Sequence, residues 1–542
     1  MPEKFDCIVI GGGHNGLIAA GYLARAGLSV LVLERRSEAG GGLCTEEVTL
    51  PGFRHNLHSA FHSNIFLVPW FNDLECAKYG AKYIEPPVKL GGPISNGQSR
   101  LIYDDNEKTA KFFEKFSRKD AETWRRLIGK WDRVFNQNPI LGYDLFTPPL
   151  PAAEREELLS RSELGREYLE ISKLPPMKFF DEAFEDEYLK GLLLYSVACI
   201  AVPHDEPDPS AMVVRRFTLK RALCRGGSHM LAHVLARSLV ANGGLVRENA
   251  DVKRIRVKGD VATGVELSDG VQIEAGKAVI SAIDITQTFL EMIGEDHLEA
   301  NLASRVKSFK YGPNGVLFGV HLALEEPPKY TAANWSEDVN LTFDLNIGYE
   351  TQEDMDQHWK EIREGLAPSK PGMQCGVFTL FDPTQAPPGK HAAFLWQFAP
   401  YSLREGGPAA WDSEFREEYA WRCIGKWAKY APNLTKENVL GMYIYTPLDV
   451  ERKHINMREG DFCVGGGGSE HMFDKRPLPE LSQYRTPIKH LYLSGACTHF
   501  GGGIIGAGGH NAAVAVLMDL GTKPWWKVVD IRDIYAKLKD AS

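Results

Sequence analysis

Three glycines, Gly11, Gly13 and Gly16, stand in the spacing G-x-G-x-x-G, and an acid, Glu34, follows further along the chain. Such a set can hold a dinucleotide. The first glycine permits a tight turn, the second lets backbone approach a pyrophosphate, and the third lets a helix pack closely on a strand. The acid accepts hydrogen bonds from ribose hydroxyls and repels a 2′-phosphate. A second set, Gly40-Gly41-Gly42, comes soon after Glu34, and near the far end six of the nine residues from Gly501 to Gly509 are glycine. Ordered glycine carries an entropic cost. A stretch this rich is either a flexible linker or a place where something lies against the backbone. Proton transfer has its candidates in His55, His58 and His62, within HNLHSAFH, and in His499. An imidazole titrates near neutral pH, which suits acid/base work. His499, His58 and His62 are taken as the catalytic candidates, with Tyr401 and Arg452 behind them.

These groups need elements to place them. Residues 5–10 (FDCIVI) predict a buried parallel strand, residues 17–25 a helix and residues 29–33 a second strand with Glu34 at its end. The helix start would offer free N–H groups and a positive dipole end to phosphates. In the middle of the chain Gly226-Gly227 opens a predicted helix over 228–241. Strands follow at 251–257, 262–267, 271–274 and 277–282, with Asp269-Gly270 as a hairpin turn. A strand over 488–495 leads into the last glycines, and a helix over 507–520 leaves them. A linker needs neither a strand before it nor a helix after it, so the glycines read as a binding turn.

The second glycine cluster past the ribose acid resembles the glutathione-reductase-like FAD superfamily, although Gly42 stands where many members carry Arg. The resemblance implies FAD rather than NAD. Its expected contacts are Gly11, Gly13, His14, Asn15, Gly16, Glu34, Arg35, Gly41, Gly42, Leu43, Val252, Gly495, Ala496, Gly502, Gly503 and Ile505. A strand near Val252 would give the adenine backbone hydrogen bonds. The final helix would aim its N-terminus at the flavin's pyrimidine edge, with Gly501, Gly502 and Gly503 laid against the ring and ribityl chain. Neither Cys497 nor His499 is marked as an attachment point, so FAD is expected to be noncovalent.

A narrower resemblance rests on the run from Tyr484-Arg485-Thr486-Pro487-Ile488 through Ser494-Gly495-Ala496-Cys497-Thr498-His499-Phe500-Gly501. It is similar to phytoene desaturases and carotenoid isomerases, with Phe500 in place of their usual Pro. Ala496 stands where monoamine oxidases carry an acid. Asp382-Pro383, Pro387-Pro388-Gly389 and Asp449-Val450-Glu451-Arg452 extend the match toward a bacterial and mitochondrial branch named after pyridine nucleotide-disulphide oxidoreductases. The implied fold class is α/β: a glutathione-reductase-like FAD-binding Rossmann domain with a discontinuous α+β substrate domain. Residues 1–85, 216–304 and 456–542 would build the first, and residues 86–215 and 305–455 the second. Expected substrate-domain strands lie at 315–324, 374–381 and 391–398, and helices at 355–364 and 414–429.

The chain has 542 residues and a net charge of −9, without the basic face that a nucleic-acid binder needs. The longest apolar run, residues 191–202, is too short to cross a bilayer, which takes about 20 residues. The start reads as no secretory signal. Nine scattered cysteines form no C-x-x-C pair, which argues against a zinc ribbon or redox dithiol and suits a reduced, cytoplasmic protein; no metal is expected. The expected activity is FAD-dependent dehydrogenation, C–C desaturation, of a hydrophobic or alicyclic substrate such as a cyclic ketone. Oxygen or a quinone would reoxidise the flavin. The alternatives are a carotenoid or polyene desaturase, a reduced-flavin isomerase, and a non-catalytic flavoprotein acting in assembly or partner binding. Oligomeric state is left open.

Overall fold

In a computed structural model that describes residues 3–137, 139–312 and 315–540, strand Glu3–Ile10 turns at Gly11 into helix His14–Arg25. Strand Val30–Leu33 returns in parallel beside the first, Cys7 against Val30 and Ile10 against Leu33. The helix begins at His14, earlier than residue 17, because extended backbone at Gly13 already serves as its N-cap. Leu245–Arg247 adds to the outer side of Val30–Leu33, and Gln272–Ser281 to the other side of Glu3–Ile10. The last of these is one continuous strand where the sequence predicts two. Its far edge is shared. Val261–Leu267 pairs with its first residues in antiparallel, and Leu491–Leu493 pairs with its last in parallel. A single strand therefore joins the parallel sheet to the antiparallel pair Val252–Lys258 and Val261–Leu267. The all-buried run VLVL is what a parallel strand covered on both faces requires. Helices His229–Ala241 and Ala507–Asp519 both pack on His14–Arg25, with Leu17, Leu23, Leu235, Ala512 and Val516 in one apolar cluster.

A second seven-stranded sheet runs in the order Val439–Tyr445, Val316–Leu324, His391–Ala399, Met373–Gly376, Thr342–Ile347, Val88–Pro93, Ser99–Tyr103. All neighbours are antiparallel except Thr342–Ile347 beside Val88–Pro93. Three expectations change here. Residues 86–215, for which no strand is predicted, supply the last two strands. The strand predicted over 374–381 stops at Gly376, and Phe378–Leu380 forms a short 3-10 turn that stacks Phe378 on Phe343. Strand Val439–Tyr445 is an addition to the predicted set. Helices Gln352–Arg363 and Phe415–Ala428 do form, the first behind a Thr351–Asp354 capping box. Trp124, Trp131, Trp359, Trp411 and Trp427 lie in one large apolar core with this sheet. No helix among the described residues is long and apolar enough to cross a membrane.

Candidate active site

The glycine turns meet at one end of the first sheet. A Cβ at Gly16 would lie 2.1 Å from the Gly11 carbonyl oxygen, so only glycine lets the helix descend onto its strand there. The Gly40 amide donates to the Gly12 carbonyl at 2.8 Å and brings the two N-terminal glycine sets together. Helix His14–Arg25 has no side-chain cap, which leaves its first-turn amides for a ligand. Glu34 is buried, and its two carboxylate oxygens accept the Gly12 and Arg36 amides, each at 2.9 Å. Each oxygen keeps a lone pair for a ribose hydroxyl.

A cavity of about 410 Å³ opens from this point. It is lined by Gly13, His14, Asn15, Gly41 and Gly42, by Ala496, Gly502, Gly503 and Ile505, and by Phe61, Phe135, Phe146, Trp396 and Phe462. The residues present fit FAD. A Cβ at Gly503 would meet nothing within 4 Å, and one at Gly13 only the Gly41 Cα at 4.0 Å, so bare backbone faces the cavity at both ends of the loop system. The buried His14 Nε2 has no partner among the described residues. These are a pyrophosphate cradle, free amides and an orphaned polar atom on one wall.

Other expected contacts lie off that wall. Arg35 is part-exposed and faces Asp251 at 3.7 Å. Leu43 and Val252 turn their side chains into apolar clusters. Gly495 packs against Ala282 and Ile283. Protein crowds the glycines at 501 and 502 from one side. A Cβ at Gly501 would sit 3.0 Å from the Arg476 guanidinium carbon, and one at Gly502 3.0 Å from the Cys463 Cα. Arg476 is buried and donates to the carbonyls of Cys463, Val464, Gly465, Gly466, His471, Ala496 and Thr498, so it staples two loops into one wall.

Of the histidine candidates the structure brings only His58 to the cavity. Its Nε2 lies 2.9 Å from the Tyr445 hydroxyl. Burial, with Lys453 and Arg36 nearby, pushes it down to about 3, so it is neutral at physiological pH. His499 is fully buried and turned away: its ring stacks on Phe473 and its Nε2 reaches the Asp144 carbonyl at 3.1 Å. His62 is held by the Tyr83 hydroxyl at 2.6 Å and His55 by Thr49 at 2.8 Å, both behind the wall. Tyr401 bonds Glu451, and Arg452 pairs with Asp412 on the exposed surface. Two residues of the site escape the reading of the sequence. Tyr445 carries no local signal. Arg216 does: it belongs to the pair Arg215-Arg216 inside the otherwise apolar stretch from Ala211 to Phe217.

Cys44, His58 and His454 bring one ligand atom each within 4.8 Å of one another and could hold a divalent ion. Against this, Arg36 and Lys453, both paired with Glu46, put positive charge beside them, and burial pushes the Cys44 thiol up to about 12.

A Rossmann-type α/β sheet with a glycine cradle at its carboxyl ends defines a dinucleotide-binding protein. The chain matches the family described as flavin containing amine oxidoreductase over residues 16–517 and belongs to it. It is an FAD-dependent oxidoreductase. It is similar to one of the subunits of the limonene dehydrogenase of Castellaniella defragrans, 33% identical over 97% of this chain and 97% of that protein. The pyridine nucleotide-disulfide oxidoreductase domain-containing protein 2 of Rattus norvegicus is 29% identical over 96% of this chain and 94% of its own. An oxidoreductase structure from Methanosarcina mazei shares the fold, with a TM-score of 0.58 at 18% identity over 95% of this chain and all of that one.

Proposed function

We propose that the enzyme dehydrogenates a carbon–carbon bond of a hydrophobic, alicyclic substrate such as a cyclic ketone. The observation that carries this reading is the cavity itself: Phe61, Phe135, Phe146, Trp396 and Phe462 line it together with the glycine cradle, and no Asp or Glu among the described residues lines it. An aromatic, carboxylate-free pocket suits a neutral ring better than a cationic amine. The similarity to a limonene dehydrogenase supports the same substrate class. FAD, when bound, supplies a two-electron hydride acceptor. The chain's own part is to hold the ring against that acceptor, exclude water and take the vicinal proton. His58, neutral and bonded to Tyr445, is the group we assign to the proton.

We divide the chain into a glutathione-reductase-like FAD domain (residues 1–85, 216–304 and 456–542) and a substrate domain (residues 86–215 and 305–455), a reading supported by the two separate sheets. Gly13, His14, Asn15, Gly41, Gly42, Ala496, Gly502, Gly503 and Ile505 would touch the cofactor from the cavity side, and Glu34 its ribose. Oxygen or a quinone would reoxidise it. The nine free cysteines support a reducing, cytoplasmic setting.

A polyene substrate is the second reading. Phe66 and Leu67 are exposed side by side, and Leu67 also lines the cavity, an apolar lip that a long chain could cross. Anaerobic mixing of oxidised enzyme with cyclic ketones, carotenoid precursors and amines separates the two. Bleaching of the flavin by ketones is expected. Bleaching by amines alone would return the protein to amine oxidation, and bleaching by carotenoid precursors alone would favour the polyene.

A further inference from the structure

Arg215, Arg216 and Arg476 are buried near the cavity, and Arg215 and Arg476 are fully satisfied. Arg476 donates to the carbonyls of two loops. Arg215 donates to the Ser210 and Leu141 carbonyls, to Asp144 Oδ2 at 3.0 Å and to the Tyr168 hydroxyl. Arg216 differs. It is 7% exposed and lines the cavity. Its Nη2 donates to the Cys199 Sγ at 3.3 Å, and its Nε is buried with no partner among the described residues. Asp344 lies in its neighbourhood but is taken, by Arg221 at 2.9 Å, the Tyr195 hydroxyl at 2.7 Å and the Gln374 amide at 2.9 Å. A guanidinium buried without an anion is strongly disfavoured, and a neutral thiol is a poor substitute for one.

We infer that Arg216 receives a carboxylate on the substrate, so that the molecule oxidised is an alicyclic carboxylic acid rather than a plain hydrocarbon or an amine. This rests on the cavity being the substrate site, as proposed above. The acid's charge would pair with a planar fork built for bidentate contact, while the ring lies on the aromatic wall. The same corner repels a protonated amine.

The test uses the oxidised holoenzyme and two probes of one shape: cyclohexanecarboxylate and its uncharged carboxamide, titrated while the flavin absorbance is followed. The carboxylate is expected to bind about tenfold to a hundredfold more tightly, the range of a charged hydrogen bond. Arg216→Met should abolish that preference and leave amide binding unchanged, and Arg216→Lys should retain part of it. Equal affinities in the wild type would overturn the inference even if the methionine variant fails to fold. So would a preference that survives Arg216→Met in the FAD-loaded variant. Binding is read without turnover. An enzyme that selects the acid yet passes no hydride from any ring keeps this inference and loses the dehydrogenation reading. One that oxidises neutral rings with no preference for acids does the reverse.

Discussion

The side-chain oxygen of Asn15, in the first turn of the first helix, accepts the backbone amide of Gly509, in the first turn of the last long helix, at 3.2 Å. The two helix starts that face the cofactor cradle are thereby locked to each other across almost the whole chain. A Cβ at Gly509 would lie 2.3 Å from the Asn15 carbonyl oxygen, which shows how closely the turns approach. Asn15→Ala leaves a buried amide unpaired and is expected to cost about 1–3 kcal/mol. Thermal unfolding of the FAD-loaded protein checks it. An unchanged midpoint would mean that water replaces the bond.

Glu34→Ala removes the acceptor of two backbone amides as well as the group we assign to the ribose. The FAD dissociation constant should rise about tenfold or more, the effect of losing a charged hydrogen bond. Recovery of flavin fluorescence on dilution measures it. Unchanged affinity would show that the carboxylate serves only the turn.

For His58 the sign of the shift sets the pH behaviour. Burial, then Lys453 and Arg36, lowers it to about 3 from 6.5, so the imidazole stays neutral above about pH 4. Its titration should leave no limb in the rate profile between about pH 6 and 8. His58→Gln should lower kcat about a hundredfold with FAD content unchanged. A wild-type limb near the ordinary histidine value that vanishes in the variant would contradict the neutral assignment.

Asp144 holds the helical segment beneath His499 through Arg155, Arg215 and Tyr535. Burial alone would raise its carboxyl, yet Arg155 and Arg215 hold it well below the ordinary range. A carboxyl depressed in the folded state contributes stability that is present above about pH 4 and lost as pH falls through its folded value. Asp144→Ala leaves two buried guanidinium groups short of their anion and is expected to cost about 3–5 kcal/mol. Denaturant unfolding at neutral pH measures this. A loss under about 1 kcal/mol would mean that the arginines find other partners.

The dinucleotide cradle was legible in the amino-acid order because each of its demands is local. Gly11, Gly13, Gly16 and Glu34 answer to one strand, one turn, one helix and the next strand, all within a short span, and a glycine with no room for Cβ declares itself by type. The last glycines declared a turn between strand and helix for the same reason. What occupies the space beside them did not show, since Arg476, which flanks Gly501, comes from a separate loop. The choice among histidines was likewise tertiary. His58 and His62 lie four residues apart in one segment, but Tyr445, remote in sequence, and Tyr83, on a nearer strand, take one ring each and leave only the first at the cavity. His499 sits in the expected loop and still turns away, toward Asp144 from another part of the chain. Arg215 and Arg216 are identical letters side by side. Only the packing of remote segments gives the first a carboxylate and leaves the second facing the cavity without one, because the partner of a buried charge is set by three-dimensional neighbours rather than by sequence distance.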